Sequence, residues 1–175
     1  MKNLIIYYSR KGQNYVNGSV QDLEKGNTEI VAEYIQELIG GDLFEVKTVK
    51  PYSDDYTECT EEAKEELKNK ARPELVEYLR DVSDYDNIFI GSPCWWGTFP
   101  MPMFSLLEKI DFTGKNVFVV MTHEGSGLGK CEKDLKKLTK GAKLGKGLAV
   151  QGAEAKDSRD IVKKWLEINC HCMTK

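Results

Sequence analysis

The chain has 175 residues, 41% of them hydrophobic and 30% charged, and its formal net charge is -3 at pH 7. This length predicts one domain over residues 1–175 with a sizeable core. The acidic balance argues against a nucleic-acid surface, and no apolar stretch approaches the roughly 18 residues that a membrane-spanning helix needs. The five cysteines are scattered and odd in number, which is typical of reduced thiols in a cytoplasmic protein. We expect no metal site, because the only candidate ligand set is the incomplete group Cys170, His171 and Cys172.

The beginning of the chain predicts a strand, a polar loop and a helix. Residues 2–8 contain the run LIIYY, which is typical of a strand buried on both faces. Apolar residues recur at helical spacing from Ile30 to Ile39, and Asn27 is placed as the N-cap. Residues 13–26 are mostly polar, and we interpret them as an insertion in the first strand-to-helix loop.

The next segment predicts a strand followed by a helix. Residues 43–49 alternate in polarity and predict the second strand. Residues 61–71 are rich in Ala, Glu, Leu and Lys, and they predict a helix. Pro73 interrupts this pattern, although a proline can also open a further helical turn, which here would run to Leu79.

The rest of the chain continues the alternation of strands and helices. Residues 85–90 predict a third, buried strand, which Gly91 and Pro93 should end. Further patterns predict a helix at 104–110, a strand at 116–121, a helix at 130–138, a strand at 143–150 and a helix at 157–168. The inward face of the last helix should carry Ile161, Val162, Trp165 and Leu166. Apolar strands alternating with helices indicate an α/β fold with a parallel sheet covered on both faces.

The loop after the first strand has the chemistry of a phosphate site. Ligands of such sheets bind outside the carboxyl ends of the strands. Ser9, Gly12, Asn27 and Thr28 would surround a helix N-terminus, whose N–H groups and dipole suit a phosphate dianion. The alternative is an ordinary turn, in which Ser and Gly are common. The segment is not a P-loop, because the Gly-Lys-Ser/Thr ending is absent.

The loop after the third strand contains two adjacent tryptophans, Trp95 and Trp96, in the segment GSPCWWGT. Either both indoles fold back onto the core, or a flat ring lies against one of them. The loop after the fourth strand is glycine-rich and could present backbone N–H groups to a ring edge. His123 in that loop has no evident acid–base partner, so we do not expect it to be catalytic. Together the three loops fit a mononucleotide with a large flat ring.

These three segments resemble the flavodoxin family. Its phosphate loop, split by an insertion, resembles the segments YYSRKG and GNTEIVAEYI. Its loop with the flavin-stacking aromatic resembles GSPCWWGTFPMP, and its loop at the pyrimidine edge resembles THEGSGLG. The resemblance covers almost the whole chain and is closest to bacterial flavodoxin-like proteins with a Trp-Trp-Gly-Thr loop. It implies a doubly wound three-layer sandwich with a five-stranded parallel sheet in order 2-1-3-4-5. It also implies non-covalent FMN that cycles through a semiquinone at low potential.

The resemblance further implies a set of cofactor-binding residues, none of them a catalytic residue or a metal ligand. The phosphate would be held by Ser9, Gly12, Asn27 and Thr28, with Arg10 and Asn14 nearby. The flavin would be framed by Pro93, Cys94, Trp95, Trp96, Gly97 and Thr98, with Trp95 in the stacking position. Its edge would be approached by Thr122, His123, Glu124, Gly125 and Gly129. The insertion leaves open whether Gly12 or Gly26 takes the glycine position of the family.

Three functions stay open at this level. The first is an electron carrier between a donor and an acceptor protein, as a monomer or weak dimer. The second is an NAD(P)H-dependent reductase of quinones or other small acceptors, favoured by the lack of a ring-covering Tyr after the fourth strand. The third is a flavin-free interaction module, although Tyr8, Ser9 and Arg10 stand where a phospho-receiver would need acidic residues.

Overall fold

A parallel sheet forms the centre of the computed structural model, which describes residues 1–169. Cys170, His171 and Cys172 lie outside these residues. In chain order the strands are β1 Asn3–Tyr7, β2 Gly12–Val16, β3 Ser19–Leu23, β4 Asp42–Glu45, β5 Asn87–Pro93, β6 Asn116–His123, β7 Lys143–Leu144 and β8 Leu148–Gln151. β2 and β3 form a separate antiparallel hairpin. The sheet has the order β4-β1-β5-β6, with β7 and β8 both paired to β6, and all its pairs are parallel. The predicted order 2-1-3-4-5 is therefore confirmed, with the fifth strand in two pieces.

Helices cover both faces of this sheet. Their bounds are α1 Asn27–Ile39, α2 Tyr56–Lys68, α3 Met101–Leu107, α4 Cys131–Leu138 and α5 Arg159–Asn169, with a 3-10 helix at Gly152–Asp157. Leu4 and Ile6 of β1 belong to the core shared with α3 and α4, whereas Ile5 and Tyr7 belong to the core shared with α1 and α5. Burial on both faces explains why the strand is apolar throughout. The three-layer α/β fold is confirmed. Within residues 1–169, no helix has the length and apolar character needed to cross a bilayer.

β5 is longer than predicted. Gly91 pairs with Val120 and Pro93 pairs with Thr122, so the strand continues through the two residues that were expected to end it. Pro93 is the last residue of the strand, where a missing N–H removes at most one ladder hydrogen bond. The extension carries the chain directly to the carboxyl edge of the sheet, at Cys94.

The predicted fifth strand, residues 143–150, is interrupted. A Cβ added to Gly145 would lie 2.3 Å from the Phe118 ring, so the backbone passes closer to that ring than any other residue type allows. The Lys146 carbonyl accepts a hydrogen bond of 2.6 Å from Nε1 of Trp165 in α5. The chain therefore bends away from β6 between β7 and β8 to meet α5.

α2 begins five residues before the predicted start, at Tyr56 rather than at residue 61. Asp55 is its N-cap, and the carboxylate accepts a hydrogen bond of 2.9 Å from the Glu58 N–H. The helix ends at Lys68 rather than at residue 71. Sequence analysis missed the cap because the residues that follow it are polar.

The helical turn predicted after Pro73 is wrong, and so is the second half of the predicted second strand. The Val76 N–H donates to the Lys47 carbonyl and the Val49 N–H donates to the Glu74 carbonyl, each at 2.9 Å. Residues 74–76 are therefore extended against residues 47–49, and β4 itself ends at Glu45.

Two later helices also differ from the prediction. α3 begins at Met101, and Pro102 lies in its first turn, where an absent N–H has no helical acceptor to lose. In α5, Val162, Trp165 and Leu166 are buried as predicted, but Ile161 is 49% exposed. Ile161 lies beside the buried stripe of the helix rather than within it.

A candidate ligand cleft at the carboxyl edge of the sheet

Two adjoining cavities lie at the carboxyl edge of the sheet. The outer cavity, of about 290 Å³, lies between α2 and the tryptophan loop, which we define as residues 94–98. The inner cavity, of about 120 Å³, lies between the start of α1 and the end of β6. Both are lined by Arg10, Asn14, Tyr56, Cys94 and Trp95, so they form one cleft. Its combined extent is in the range of small-molecule sites, about 300–1,000 Å³.

The start of α1 forms one wall of the inner cavity. The Ser9 hydroxyl accepts a hydrogen bond of 3.1 Å from the Glu29 N–H. The hydroxyls of Thr28 and Thr122 lie 2.8 Å apart, and both residues are buried. The first N–H groups of a helix have no acceptor within it and carry the positive end of its dipole. The cleft therefore contains hydroxyls and a helix N-terminus that suit an anionic group.

Gly26, not Gly12, lies against the loop after β1, at Ser9 and Arg10. Gly26 is the N-cap of α1, whereas Asn27, the predicted cap, is the first helical residue. A Cβ on Gly26 would lie 2.1 Å from Ser9 Oγ and 2.6 Å from the Arg10 carbonyl oxygen. Gly12 begins β2 with a φ of 80° and lines neither cavity.

Arg10 contributes positive charge to both cavities. Its Nε donates to the Gln13 carbonyl at 2.9 Å, and its Nη2 donates to the carbonyls of Ser53 at 2.9 Å and Asp54 at 3.1 Å. The Asn14 side chain donates to the Arg10 carbonyl at 2.8 Å. These bonds fix the guanidinium along the wall, where its planar donors can face an anion.

The insertion at residues 13–26 forms the β2–β3 hairpin for most of its length. Asn17 and Gly18 have φ of 52° and 88°, the backbone of a tight two-residue turn. The Asn17 N–H donates to Oε2 of Glu124 at 3.0 Å, and the Tyr15 ring stacks on Tyr56 with centroids 6.1 Å apart. The hairpin thus joins the loop after β6 to the start of α2, across the inner cavity.

The tryptophan loop is a second tight turn. Trp95 and Thr98 exchange backbone hydrogen bonds of 2.8 and 3.2 Å, and Trp96 and Gly97 between them have φ of 52° and 83°. Such a backbone is uncommon for a non-glycine residue. The Trp96 indole N–H donates to the Thr60 carbonyl of α2 at 3.0 Å, which holds the ring against that helix.

The two tryptophans have different environments. Trp95 is half-buried and meets Tyr8 and Tyr52 edge to face, with centroids 5.3 and 5.2 Å away. Trp96 is 51% exposed and lines only the outer cavity. Trp95 therefore packs on the core and also lines both cavities, whereas its stacking on a ligand ring stays a prediction.

The end of β6 and the loop after it, residues 122–129, form the opposite wall. Nδ1 of His123 accepts a hydrogen bond of 2.9 Å from the Gly125 N–H. Oε1 of Glu124 is buried and has no hydrogen-bond partner among the described residues. A Cβ on Gly152 would lie 2.3 Å from this oxygen and 2.7 Å from Nδ2 of Asn27. Gly152 thereby leaves room for an unpaired carboxylate oxygen inside the inner cavity.

The remaining predicted residues lie at the same edge with different exposure to the cleft. Pro93 lines the inner cavity, and Thr98 closes the tryptophan turn. Gly129 packs against that turn, since a Cβ there would lie 2.4 Å from the Gly97 carbonyl oxygen. Neither cavity is lined by Gly97, Thr98, Gly125 or Gly129.

Sequence analysis missed the part of the cleft that is formed by α2 and the 3-10 helix. Its lining residues there are Tyr56, Cys59, Thr60, Ala63 and Gly152. No local pattern identifies them, because they reach the cleft through helix packing. The missed hairpin did carry a signal, the Asn-Gly dipeptide of its turn.

Cysteine thiols in the cleft have strongly shifted pKa values. A hydrogen bond from the Cys131 thiol, then bonds from the Ser126 hydroxyl and the Gly97 N–H, lower the pKa of Cys94 to about 6 despite burial. Burial raises the pKa of Cys59 to about 11. The cleft therefore holds one acidic and one inert thiol.

The doubly wound sheet with a loop-lined cleft at its carboxyl edge defines a flavodoxin-like α/β protein. The sequence model described as Flavodoxin matches residues 22–169, and the chain belongs to the flavodoxin family. No curated protein gives a significant match.

Solved structures agree with this membership. A protein described as a flavoprotein from Bacteroides uniformis ATCC 8492 is 29% identical, with a TM-score of 0.76 over 95% of this chain and 97% of that chain. A flavoprotein from Lactobacillus acidophilus NCFM, solved in complex with FMN, is 26% identical, with a TM-score of 0.64 over 94% of this chain and 97% of that chain. A flavodoxin of Streptococcus pneumoniae shares the fold at 16% identity, with a TM-score of 0.55 over 96% of this chain and 97% of that chain.

Proposed function

We propose that this protein binds FMN non-covalently and carries electrons between partner proteins. The observation that carries the proposal is that one cleft joins a helix N-terminus to an aromatic wall, with Trp95 lining both of its cavities. FMN has the matching parts, a phosphate dianion and a flat ring. The FMN complex of the Lactobacillus acidophilus flavoprotein supports this cofactor.

The inner cavity fits the phosphate and its attached chain. Thr28 lines this cavity and would present its hydroxyl, and Arg10 supplies a positive charge. The α1 N-terminus would present N–H groups, next to the Ser9 hydroxyl that is bonded to it. The buried oxygen of Glu124 needs a hydrogen-bond donor, since an unsatisfied carboxylate in a protein interior costs about 1–3 kcal/mol or more. The hydroxyls and the ring N–H of FMN are donors of the required kind.

The aromatic wall fits the ring. Trp95 is held by the two tyrosine edges and Trp96 by its bond to Thr60, so both indoles are oriented before a ligand arrives. When bound, FMN would supply the redox chemistry, and the protein would set its potential. A tryptophan wall and the Glu124 carboxylate both disfavour extra negative charge on the ring, so they would lower the potential.

A reductase of small acceptors is the second candidate, and a specific observation favours it. Residues 122–129 contain no Phe, Tyr or Trp that could cover the ring, and Trp96 leaves half of its surface exposed. A second flat molecule, such as a nicotinamide, could approach an open ring face. The sequence has no separate nicotinamide-binding motif, so the electron carrier stays the first proposal. We also propose a cytoplasmic location, where its thiols stay reduced.

The absorption spectrum of the purified protein tests the cofactor, together with the mass of any cofactor released on denaturation. Flavin absorption and the mass of FMN are expected. A colourless protein that also fails to bind added FMN would contradict the proposal and favour the flavin-free interaction module. Oxidation of NAD(P)H by the FMN-loaded protein with a quinone acceptor would favour the reductase, whereas no oxidation supports the carrier.

A further inference from the structure

We propose that the exposed face of α4, together with the residues at its two ends, is a docking surface for an acidic protein. This surface, which we call the lysine face, consists of Lys130, Lys133, Lys136, Lys137 and Lys140. All five side chains are exposed, whereas Cys131 and Leu135 of the same helix are buried against the core. The surface itself does not depend on FMN binding.

Helical spacing places these lysines together. From Lys133 onwards they recur at i, i+3, i+4 and i+7, the spacing of one helix face, and the last of them directly follows the C-cap. Lys130 is the N-cap, three residues before Lys133. The two acidic residues of α4, Glu132 and Asp134, are not part of this row. Asp134 instead accepts a hydrogen bond from the Thr98 hydroxyl.

The positive charge of the lysine face is not neutralised within residues 1–169. The lysines that form ion pairs there are Lys2, Lys25 and Lys47, and even Glu132, one turn before Lys136, forms no ion pair with it. Taking the five lysines from the 25 basic and 28 acidic residues of the chain leaves 20 against 28, a net charge of -8. The lysine face is therefore a positive region on a chain that is otherwise acidic.

The stability of the helix does not account for this face. Positive charge is favourable in the last turn of a helix, where Lys136 and Lys137 lie, but unfavourable in the first turn, where Lys130 and Lys133 lie. Like charges three or four residues apart also repel, as they do between Lys133 and the two lysines of the next turn. Carboxylates of a partner would remove this repulsion, so binding gains from charges that the free protein holds at a cost.

The composition of the face favours an acidic protein over other polyanions. Residues 130–140 contain no arginine and no aromatic ring, so they offer neither the bidentate fork that suits a phosphate nor a stacking platform for bases. They also expose no large apolar side chain that could enter a lipid surface. A nucleic acid that extends past the helix would meet the acidic remainder of the chain. Carboxylates on a protein surface match separate ammonium groups without these requirements.

The lysine face begins beside the cleft. The Lys130 N–H donates to the Gly97 carbonyl of the tryptophan loop at 2.7 Å, and a Cβ on Gly129 would lie 2.4 Å from the same oxygen. The half-exposed Trp96 directly precedes Gly97. A protein docked on the lysine face would therefore lie next to the tryptophan loop, and long-range attraction would steer it there. That this partner exchanges electrons with the cofactor is a consequence that rests on the proposed function.

An NMR titration of the isotope-labelled, full-length protein with a short polyglutamate peptide tests the surface. We expect the changes in amide chemical shift to concentrate on residues 130–140, and the affinity to fall as the salt concentration rises. Lys133→Gln combined with Lys137→Gln should weaken binding roughly 2- to 25-fold, because each exposed ion pair contributes a factor of about 1.5 to 5. The assay needs no flavin signal, so it gives a result whether or not the protein carries FMN.

Lys163→Gln combined with Lys164→Gln is the matched control, because it removes the same charge from exposed lysines of α5, on the other face of the sheet. It should keep the wild-type affinity, and circular dichroism checks that both double variants are folded. Absence of binding, or equal losses in the two double variants, overturns the proposal. So does tighter binding of a DNA duplex or of phosphatidylserine vesicles than of the peptide, which would assign the face to a nucleic acid or a membrane.

Discussion

Replacing Gly26 with Ala should weaken FMN binding and destabilise the protein, because this glycine brings the start of α1 against the first loop. Its φ of -64° is accessible to Ala, so the expected effect is steric and not a backbone strain. The added Cβ would lie 2.1 Å from Ser9 Oγ, which can rotate, but also 2.6 Å from the Arg10 carbonyl oxygen, which cannot. The clash with the Arg10 carbonyl can therefore be relieved only if the loop after β1 moves away from the start of α1.

The magnitude follows from the contacts that are lost. Overpacking of this kind costs about 1–3 kcal/mol, and the lost bond between Ser9 and the Glu29 N–H adds about 1 kcal/mol. We expect the free energy of unfolding to fall by about 2–4 kcal/mol in a urea titration. Losing one hydrogen bond to a phosphate, worth about 1.5–3 kcal/mol, should weaken FMN roughly 10- to 100-fold in a fluorescence titration.

Gly12→Ala is the control for this experiment. The φ of 80° at Gly12 makes Ala strained by about 1–2 kcal/mol, but the added Cβ has room, since its nearest neighbour, Asp22, lies 3.8 Å away. The protein should be destabilised while FMN affinity stays near that of the wild type. Riboflavin, which lacks the phosphate, should bind almost equally to all three proteins. The reasoning is refuted if Gly26→Ala keeps its FMN affinity or if Gly12→Ala loses more.

Four further substitutions or measurements test other parts of the cleft. Trp95→Ala removes two edge-to-face contacts and should lower the free energy of unfolding in urea by about 3 kcal/mol. It should also reduce the quenching of tryptophan fluorescence by FMN. Unchanged quenching would contradict the stacking role. Gly97→Ala should lower stability by about 1 kcal/mol through its φ of 83° alone, because nothing lies within 4 Å of the added Cβ; an unchanged thermal midpoint would show that the turn relaxes. The rate of Cys94 alkylation by iodoacetamide should rise with pH and reach half its maximum near pH 6, whereas Cys59 should react only as the pH approaches about 11. Equal pH profiles for the two thiols would refute the difference between their pKa values. Glu124→Gln should raise the potential of bound FMN, because a negative charge is removed beside it, and an unchanged potential in a redox titration would place the carboxylate away from the ring.

The sheet was predictable because its signal is local. β1, β5 and β6 are buried on both faces, so each is an apolar run bounded by polar residues or glycine. The ends of the strands were less predictable, because pairing decides them. Gly91 and Pro93 stay in β5 because they pair with Val120 and Thr122 of β6, and Gly91 also pairs with Tyr7 of β1. Each of these contacts joins residues distant in sequence.

The cleft was predictable where residues follow a strand directly. Arg10, Trp95 and Thr122 meet in the cleft because the carboxyl ends of parallel strands share one edge. The contribution of α2 was not predictable, since Tyr56 and Thr60 reach the cleft only through the placement of the whole helix. The hydrogen bond from the Lys130 N–H to the Gly97 carbonyl depends in the same way on how the start of α4 packs against the tryptophan loop.

The chain enters and leaves the β2–β3 hairpin at nearly the same point, since a Cβ on Gly26 would lie within 3 Å of the Arg10 backbone. An inserted segment whose two ends lie close together adds little loop-closure entropy cost to the folding of the domain. Chain segments of this kind can be gained, lost or exchanged during evolution without rebuilding the domain beneath them. The hairpin is therefore a module in which a protein of this fold can vary the cover of its cleft, while the sheet and the helix N-terminus below it stay the same.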